Sequence, residues 1–258
     1  MTQIHSTAIV SKKAVIGDDA VIGPYAIIED DVEIGNNCSV GPHACIYNGA
    51  RIGNNVKIFQ SASVSNVCQD LKYAGEETHF YIGDNTTIRE FVTLHKGSAD
   101  LGMSRVGSGC LIMAYAHVAH DCIVGDNCII ANAVQMAGHV EIDDNAIIGG
   151  LTAIHQFCKI GKHAMIGGGL RVPYDVPPFI LAGGEPLKYS GPNAVGLRRR
   201  GFSNEDIKLI KDAYSILFSR ELNYSQAKEK LSREYANSEL VIDILEFLKK
   251  CTRTLIKG

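Results

Sequence analysis

Beginning at Ile4 and stepping by six, the chain meets Val10, Ile16, Ile22, Ile28, Ile34, Val40, Ile46, Ile52, Ile58 and Val64, and the same phase continues to Val172. Of the 29 positions on this count, 26 hold Ile, Val, Leu or Met, and the exceptions are Asp70, Glu76 and Asp100. A small residue often stands two places earlier: Ala8, Ala14, Ala20, Ala26, Cys38, Ala44, Ala50 and Ala62 in the first half, Cys110, Cys122, Cys128 and Cys158 in the second. A period of six is neither the 3.6 of an amphipathic helix nor the strict two of a half-buried strand. It is the mark of hexapeptide repeats, in which each hexad supplies one short side and a corner, and three hexads close a triangular coil of a parallel β-helix. The aliphatic side chain points into the prism and the small residue beside it lets the corner turn. Pairs such as "IGDD", "IGNN" and "VGDN" offer the Gly, Asn and Asp residues that supply positive φ at tight turns. At roughly 4.8 Å per coil, the repeat predicts a prism of about eight to nine coils, about 40 Å tall.

The three exceptions fall in two polar segments, "SNVCQDLKYAGEETH" (Ser65 to His79) and "KGSADLGMSR" (Lys96 to Arg105). These are expected to leave the prism as loops near 65–79 and 96–105, where binding residues commonly lie. The hexads stop at "PYDVPPF", and Pro186 and Pro192 mark a linker. From Ser203, an N-cap residue type, the spacing turns helical, with Ile207, Ile210, Tyr214 and Leu217 on one face. Further amphipathic stretches follow at Ser225 to Tyr235 and Ser238 to Leu248. The reading is therefore an all-β main domain over 1–185, and over 186–258 a linker with a C-terminal α-helical appendage that caps the open end of the solenoid.

Composition changes this picture little. With 46% apolar and 21% charged residues the chain reads as an ordinary folded protein. A net charge of −3 excludes a general nucleic-acid binder, because neutralising phosphates needs clustered Lys and Arg; the one cluster is Arg198 to Arg200. No run approaches the roughly 18 apolar residues of a membrane span, and "MTQIHSTAIV" lacks the basic-then-apolar order of a signal peptide. A cytoplasmic location without stable membrane insertion is expected. The eight cysteines form no CxxC pair, and five of them occupy the small slot, as reduced buried side chains would.

With three hexads per coil, "AHVAHDCIVGDNCIIANAVQMAGH" becomes a map. His120, Gly138 and Gln156 form one column, and Asp121, His139 and Phe157 the next. His155 stands over Ala137 and Ala119, and His117 lies one strand segment before His120. None of these histidines occupies an aliphatic slot, which argues against core packing. They could be corner residues on the surface, as expected for His43 and His163. They could hold zinc, with His117-x-x-His120 joined by a histidine from a neighbouring subunit. Or a neutral imidazole, of ordinary pKa near 6.5, could act as general base in acyl transfer, contributing about 10²- to 10⁴-fold. In that third case Asp121 would orient the ring, and the N–H of Gly138 would approach the developing oxyanion without obstruction.

The segments "QDLKYAGE", "AHVAHDCIVG", "AGHVEI", "AIHQF" and "GLRRRGF", in this order, resemble the acyl-[acyl-carrier-protein]–UDP-N-acetylglucosamine O-acyltransferase family, which begins lipid A biosynthesis. The likeness spans essentially the whole chain. A sister family that N-acylates a later intermediate carries an extra domain before its hexads, whereas here the hexads begin by Ile4 or Val10. The resemblance implies a left-handed β-helix and a homotrimer with active sites in the clefts between prisms. It implies no cofactor of its own, because phosphopantetheine arrives on acyl carrier protein, and transfer of an (R)-3-hydroxyacyl chain to the 3-position of UDP-N-acetylglucosamine. By the same resemblance His120 is the general base, Asp121 supports it and Gly138 N–H meets the oxyanion. His139, His155 and Gln156 surround the sugar and its acetamido or acyl functions, with His117 beside them. Gln69, Asp70 and Lys72 hold the nucleotide sugar. Asn193 and Arg199 or Arg200, from the neighbouring chain, contact the donor arm and nucleotide, and the arginines offer an acidic carrier a basic landing site. Gly168 in "IGGGLRV" matches the position that limits acyl length, although Leu170 and Arg171 stand where smaller residues are usual. The alternative is a zinc-dependent hydratase of the γ-carbonic-anhydrase type, which resembles this chain in its β-helix.

Overall fold

The computed structural model describes residues 1–251 and 253–258. Each hexad folds as a strand of two to four residues and a turn, and strands one coil apart pair in parallel, as Gln3 with Val21 and Val21 with Ser39. Three flat walls result, of eleven, nine and eight strands. The first wall holds Ile4, Ile22 and their successors, the second Val10 and Ile28, the third Ile16 and Ile34. The hexad aliphatics fill the prism, with Ile22, Ile46, Ile88, Ile112, Ile130, Met136 and Ile142 among the largest fully buried side chains. The main domain is thus the expected parallel β-helix, followed by helices. Cys38, Cys110, Cys122, Cys128 and Cys158 are free and buried.

At the corners the expected turn residues divide the work. Positive φ falls not on the Gly of "IGNN" but two residues later, at Asn37 (56°) and Asn55 (57°). The glycine serves close approach instead: a Cβ on Gly35 would stand 2.6 Å from the carbonyl oxygen of Gly53 one coil on. Asn and Asp side chains then tie coil to coil, Asn36 Oδ1 accepting from Asp18 N at 2.8 Å and Asn54 Oδ1 from Asn36 N at 2.9 Å. At other corners the left-handed residue is large, as Tyr25, Phe91, Tyr115, His139 and Phe157. Such residues pay about 1–2 kcal/mol for that conformation. Stacking down the corner offsets the cost, with ring centroids 5.1 Å apart for Tyr25 and His43 and 5.0 Å for Phe91 and Tyr115.

Ile58 pairs with Ile88 and Ile82 with Val106, so the two insertions are two hexads and one hexad long. That length is why the six-residue phase survives them, and why Asp70, Glu76 and Asp100 fall inside. Strands Ser63–Asn66, His79–Ile82 and Met103–Val106 shorten the loops to 67–78 and 96–102. They extend this far because Phe80 and Ile82 both turn into the core. At the other end Ile180–Gly183, inside the expected β domain, joins the first wall, and the segment expected as linker carries structure: Lys188–Pro192 returns antiparallel to it. Pro192, lacking an N–H, is tolerated because this strand is the sheet's edge.

Four helices follow, α1 (Ala194–Arg199), α2 (Asn204–Leu217), α3 (Tyr224–Glu234) and α4 (Glu239–Lys250). Ser203 caps α2 in a capping box with Asp206. The short α1, which no periodicity announces, is capped by Asn193. The helices are fastened to the last coils by Tyr214, whose hydroxyl donates to the Pro178 carbonyl at 2.7 Å, and by the Lys162–Asp243 ion pair. Among the described residues no helix is long and apolar enough to cross a membrane.

Candidate active site

Strand His117–Val118 ends at the corner between the second and third walls, where Cys122 and Val118 turn inward and are fully buried. Those two anchors leave His120 and Asp121 to form the outer turn, with Asp121 at φ 57°. His120 Nδ1 lies 2.7 Å from Asp121 Oδ2. The carboxylate also accepts from Ser98, through the backbone N–H at 2.9 Å and Oγ at 2.6 Å. Burial alone would push the Asp121 carboxyl up, but the hydrogen bonds from Ser98 and His120 outweigh it and hold the group below its ordinary value. An ionised carboxylate only accepts, so in the neutral form of His120 the proton sits on Nδ1 and Nε2 keeps a lone pair.

Gly138, one coil on, sits against the face of this ring. A Cβ there would be 2.6 Å from His120 Cε1 and 2.7 Å from Nε2, so a side chain and the imidazole cannot share the space. Among the described residues no carbonyl accepts the Gly138 N–H. His139 stands edge-on to His120 at 5.3 Å and stacks on Phe157 at 4.5 Å, its Nε2 3.6 Å from Asp121 Oδ2. A cavity of about 370 Å³ opens beside it, lined by Asp100, Leu101, Asp121, His139, Phe157 and Lys159. His155 and Gln156 are exposed two coils below His120, and His155 Nδ1 lies 3.1 Å from the Gln156 carbonyl.

His117 contacts Thr93 Oγ1 at 2.7 Å through Nδ1. Burial, then repulsion from His95 and His120, push its pKa down to about 4, so it is neutral near pH 7. His95 lies edge-on to it at 5.0 Å, with Nδ1 2.6 Å from the Val67 carbonyl at the root of the first loop. In that loop Asp70 Oδ1 accepts from Lys72 N at 2.9 Å, while Gln69 and Lys72 are exposed. His95 and Ser98 were not picked out from the sequence. Both lie where the inserted hexad moves the stacking offset from 18 to 24 residues, pairing Thr93 with His117; counting that hexad would have found them.

Other expected site residues lie elsewhere within one chain. Asn193 is buried at the corner between the third and first walls, where Nδ2 donates to the His163 carbonyl at 3.0 Å and Oδ1 accepts from Gly196 N at 3.2 Å. Arg199 ends α1 and Arg200 caps it. Gly168 is exposed at the corner between the first and second walls, and Arg171 lies 3.8 Å from Glu185. None of these is brought to His120 by its own chain. His163, expected as a surface residue like His43, is instead half-buried between Phe179 (5.6 Å) and Phe202 (5.1 Å). Its Nδ1 is buried without a partner among the described residues, and burial, then Arg200 and Lys162, push its pKa down to about 4.

Ligand atoms of His120, Asp121 and His139 lie within 4.8 Å of one another and could surround a cation. This is not the His117-x-x-His120 set expected for zinc, because His117 turns to Thr93. The Asp121 oxygens, moreover, already accept three hydrogen bonds.

The family described as Udp N-acetylglucosamine O-acyltransferase, domain 2, matches residues 175–256, and the bacterial transferase hexapeptide family matches 13–48 and 103–138. The chain is 46% identical, over all of both chains, to the acyl-[acyl-carrier-protein]–UDP-N-acetylglucosamine O-acyltransferase of Thermodesulfovibrio yellowstonii. It is 58% identical to that of Chlorobium phaeobacteroides over 98% of this chain and 96% of the relative. It superposes with a TM-score of 0.96 on the UDP-N-acetylglucosamine acyltransferase from Bacteroides fragilis, at 44% identity over 99% of this chain and 100% of that one.

Proposed function

The chain belongs to the acyl-[acyl-carrier-protein]–UDP-N-acetylglucosamine O-acyltransferase family and is an acyltransferase of lipid A biosynthesis; from that premise we propose that His120 is the general base that moves a 3-hydroxyacyl chain from acyl carrier protein to the 3-hydroxyl of UDP-N-acetylglucosamine. The observation that carries this reading is the His120 ring itself, tied at Nδ1 to a buried carboxylate and free at Nε2. Nε2 takes the proton of the sugar hydroxyl as its oxygen bonds to the thioester carbonyl carbon. The oxyanion that develops meets the N–H of Gly138, a donor without a competing acceptor, of a kind worth about 3–4 kcal/mol in favourable sites. Collapse breaks the carbon–sulfur bond, and the phosphopantetheine thiolate leaves with the proton from Nε2. Asp121 offsets the imidazolium charge in between.

His139, His155 and Gln156 border the sugar on the same corner, with neutral His117 beside them, and Gln69, Asp70 and Lys72 hold the nucleotide. Asn193, Arg199 and Arg200 lie on another edge of the prism, as residues that complete a neighbouring chain's cleft in a homotrimer must. The chemistry takes no resident cofactor, since the phosphopantetheine arm comes with the carrier, and the substrates place the enzyme in the cytoplasm. His120→Ala should keep the fold and lose at least about 100-fold in rate. A variant retaining more than about a tenth of the rate, or loss of wild-type activity on removing divalent metal with a chelator, would overturn the assignment.

A further inference from the structure

Ser98 grips the Asp121 carboxylate at both oxygens, N–H to Oδ1 at 2.9 Å and Oγ to Oδ2 at 2.6 Å, and both residues are buried. We propose that Ser98 is a positioning residue of the acyl-transfer reaction: it fixes the plane of the Asp121 carboxylate so that Oδ2 holds His120 Nδ1 and Nε2 faces the substrate. The proposal rests on the general-base reading of His120.

Three features of the chain support it. Asp121 Oδ2 is shared between Ser98 Oγ and His120 Nδ1, so the hydroxyl and the imidazole are joined through one oxygen atom. Among the described residues the carboxylate has no other side-chain donor closer than His139 Nε2 at 3.6 Å, so Ser98 supplies two of its three short contacts. The loop that carries Ser98 is itself pinned. Thr78 Oγ1 donates to the Gly97 carbonyl at 2.7 Å, Gly97 N to the His79 carbonyl at 3.3 Å, Gly102 N to the Ser98 carbonyl at 2.8 Å and Lys96 N to the Asn66 carbonyl at 3.0 Å. Gly97 packs against the Met103 backbone so closely that no Cβ fits. The inserted hexad thus replaces an ordinary corner one coil above Asp121 and brings there a rigid pair of donors. A flexible loop whose only task was to cover substrate would not need them.

Charged and titratable groups surround the pair: His139 faces Asp121 with Asp100 beyond it at 3.9 Å, His117 and His95 lie behind His120, Lys159 and Glu141 line the cavity beside His139, and the Cys122 and Cys68 thiols are buried near the carboxylate. Removing the Ser98 hydroxyl leaves the carboxylate more basic, so the His120–Asp121 pair keeps its proton to higher pH. Because the reaction needs neutral His120, the acidic limb of kcat/KM then moves upward. A purely structural hydroxyl would leave that limb in place.

The test is steady-state acyl transfer, from 3-hydroxyacyl carrier protein to UDP-N-acetylglucosamine, by the full chain carrying Ser98→Ala, Ser98→Thr or Ser98→Cys, with His120→Ala alongside. Ser98→Ala should lower kcat about 10- to 100-fold with KM for the nucleotide sugar within about threefold, and move the acidic limb upward. Ser98→Thr, which keeps the hydroxyl, should restore both. Ser98→Cys keeps the volume with a weak donor and should fall between, which preserves the test if the alanine variant melts early. Wild-type kcat and an unmoved limb in Ser98→Ala or Ser98→Cys, beside an inactive His120→Ala, would overturn the role of Ser98 alone. A fully active His120→Ala would remove the general base, and with it the role given to Ser98.

Discussion

Replacing Gly138 by alanine tests the contact between coil and His120 ring directly. The added methyl would lie 2.6 Å from His120 Cε1, 2.7 Å from Nε2 and 3.2 Å from Nδ1. Carbon contacts are comfortable only from about 3.5 Å, so the ring must retreat by close to 1 Å. It has little freedom to do so, held at Nδ1 by Asp121 and flanked by His139. Gly138 does not adopt the left-handed backbone conformation, so alanine brings no backbone strain of its own. A displacement of about 1 Å at a reacting group costs about 100-fold in rate, or about 2.7 kcal/mol of barrier. Overpacking costs about 1–3 kcal/mol of stability, which for a chain of this size lowers Tm by roughly 2–10 °C. Steady-state kinetics and a thermal melt on the same preparation read both, and the fall should appear in kcat rather than in KM for the nucleotide sugar. Gly183→Ala is the control: its methyl would meet only Ser190 Oγ, at 3.4 Å, and it should behave as wild type. Should Gly138→Ala retain kcat within about threefold of wild type, the placement of the His120 ring would not govern the reaction, and the site would have to be read differently.

His163 offers a separate test, through stability. Its pKa of about 4 in the fold lies below the ordinary 6.5, so the unfolded chain binds more protons between those values. The stability that the neutral ring contributes is complete above about pH 6.5 and lost as pH falls toward 4, on the order of 1–2 kcal/mol at pH 5. Phe157 and Phe179 already occupy equivalent left-handed corners, so His163→Phe should fold and shrink the Tm difference between pH 7.5 and pH 5 by several degrees; an unchanged difference would show that the ring titrates normally. For acyl length, Gly168→Met should shift the product distribution toward shorter chains when the enzyme is offered a mixed pool of acyl carriers, read by mass spectrometry, and an identical distribution would remove Gly168 from the groove.

The β-helix was legible because every coil repeats the same demand, an aliphatic inward and a small neighbour at the turn, so that 26 hexads vote for one period. The pairing of His120 with Gly138 and of Asp121 with His139 follows from that period alone. What escaped is what departs from it. Ser98 and His95 sit beside the site only because the second insertion is one hexad long, and a column drawn with a fixed offset passes them by. The strand Lys188–Pro192 and the helix α1 are held by contacts from distant parts of the chain, Tyr189 against Tyr214 and Phe218 and the buried Leu197 of α1, which leave no period to read. His163 looked like any corner histidine because nothing nearby in sequence shows that Phe202, far along the chain, folds back over it.

The repeat also explains why a reactive imidazole can be built on so plain a scaffold. Backbone groups of successive coils are fixed about 4.8 Å apart by the parallel ladder. At several corners an outward ring therefore stacks on the ring one coil on, as Phe91 does on Tyr115, but the His120 ring has the backbone of residue 138 against it. Because that residue is glycine, no Cβ stands between its backbone and the imidazole, and among the described residues no carbonyl takes its N–H. The adjacent column shows the converse. Asp121, His139 and Phe157 all take the left-handed corner conformation and keep their side chains, so a carboxylate, an imidazole and an aromatic ring stack in order beneath Ser98. Two neighbouring columns, one emptied by a glycine and one filled, are enough to set an imidazole, the carboxylate bonded to it and a peptide N–H side by side, which is the arrangement that the proposed acyl transfer uses.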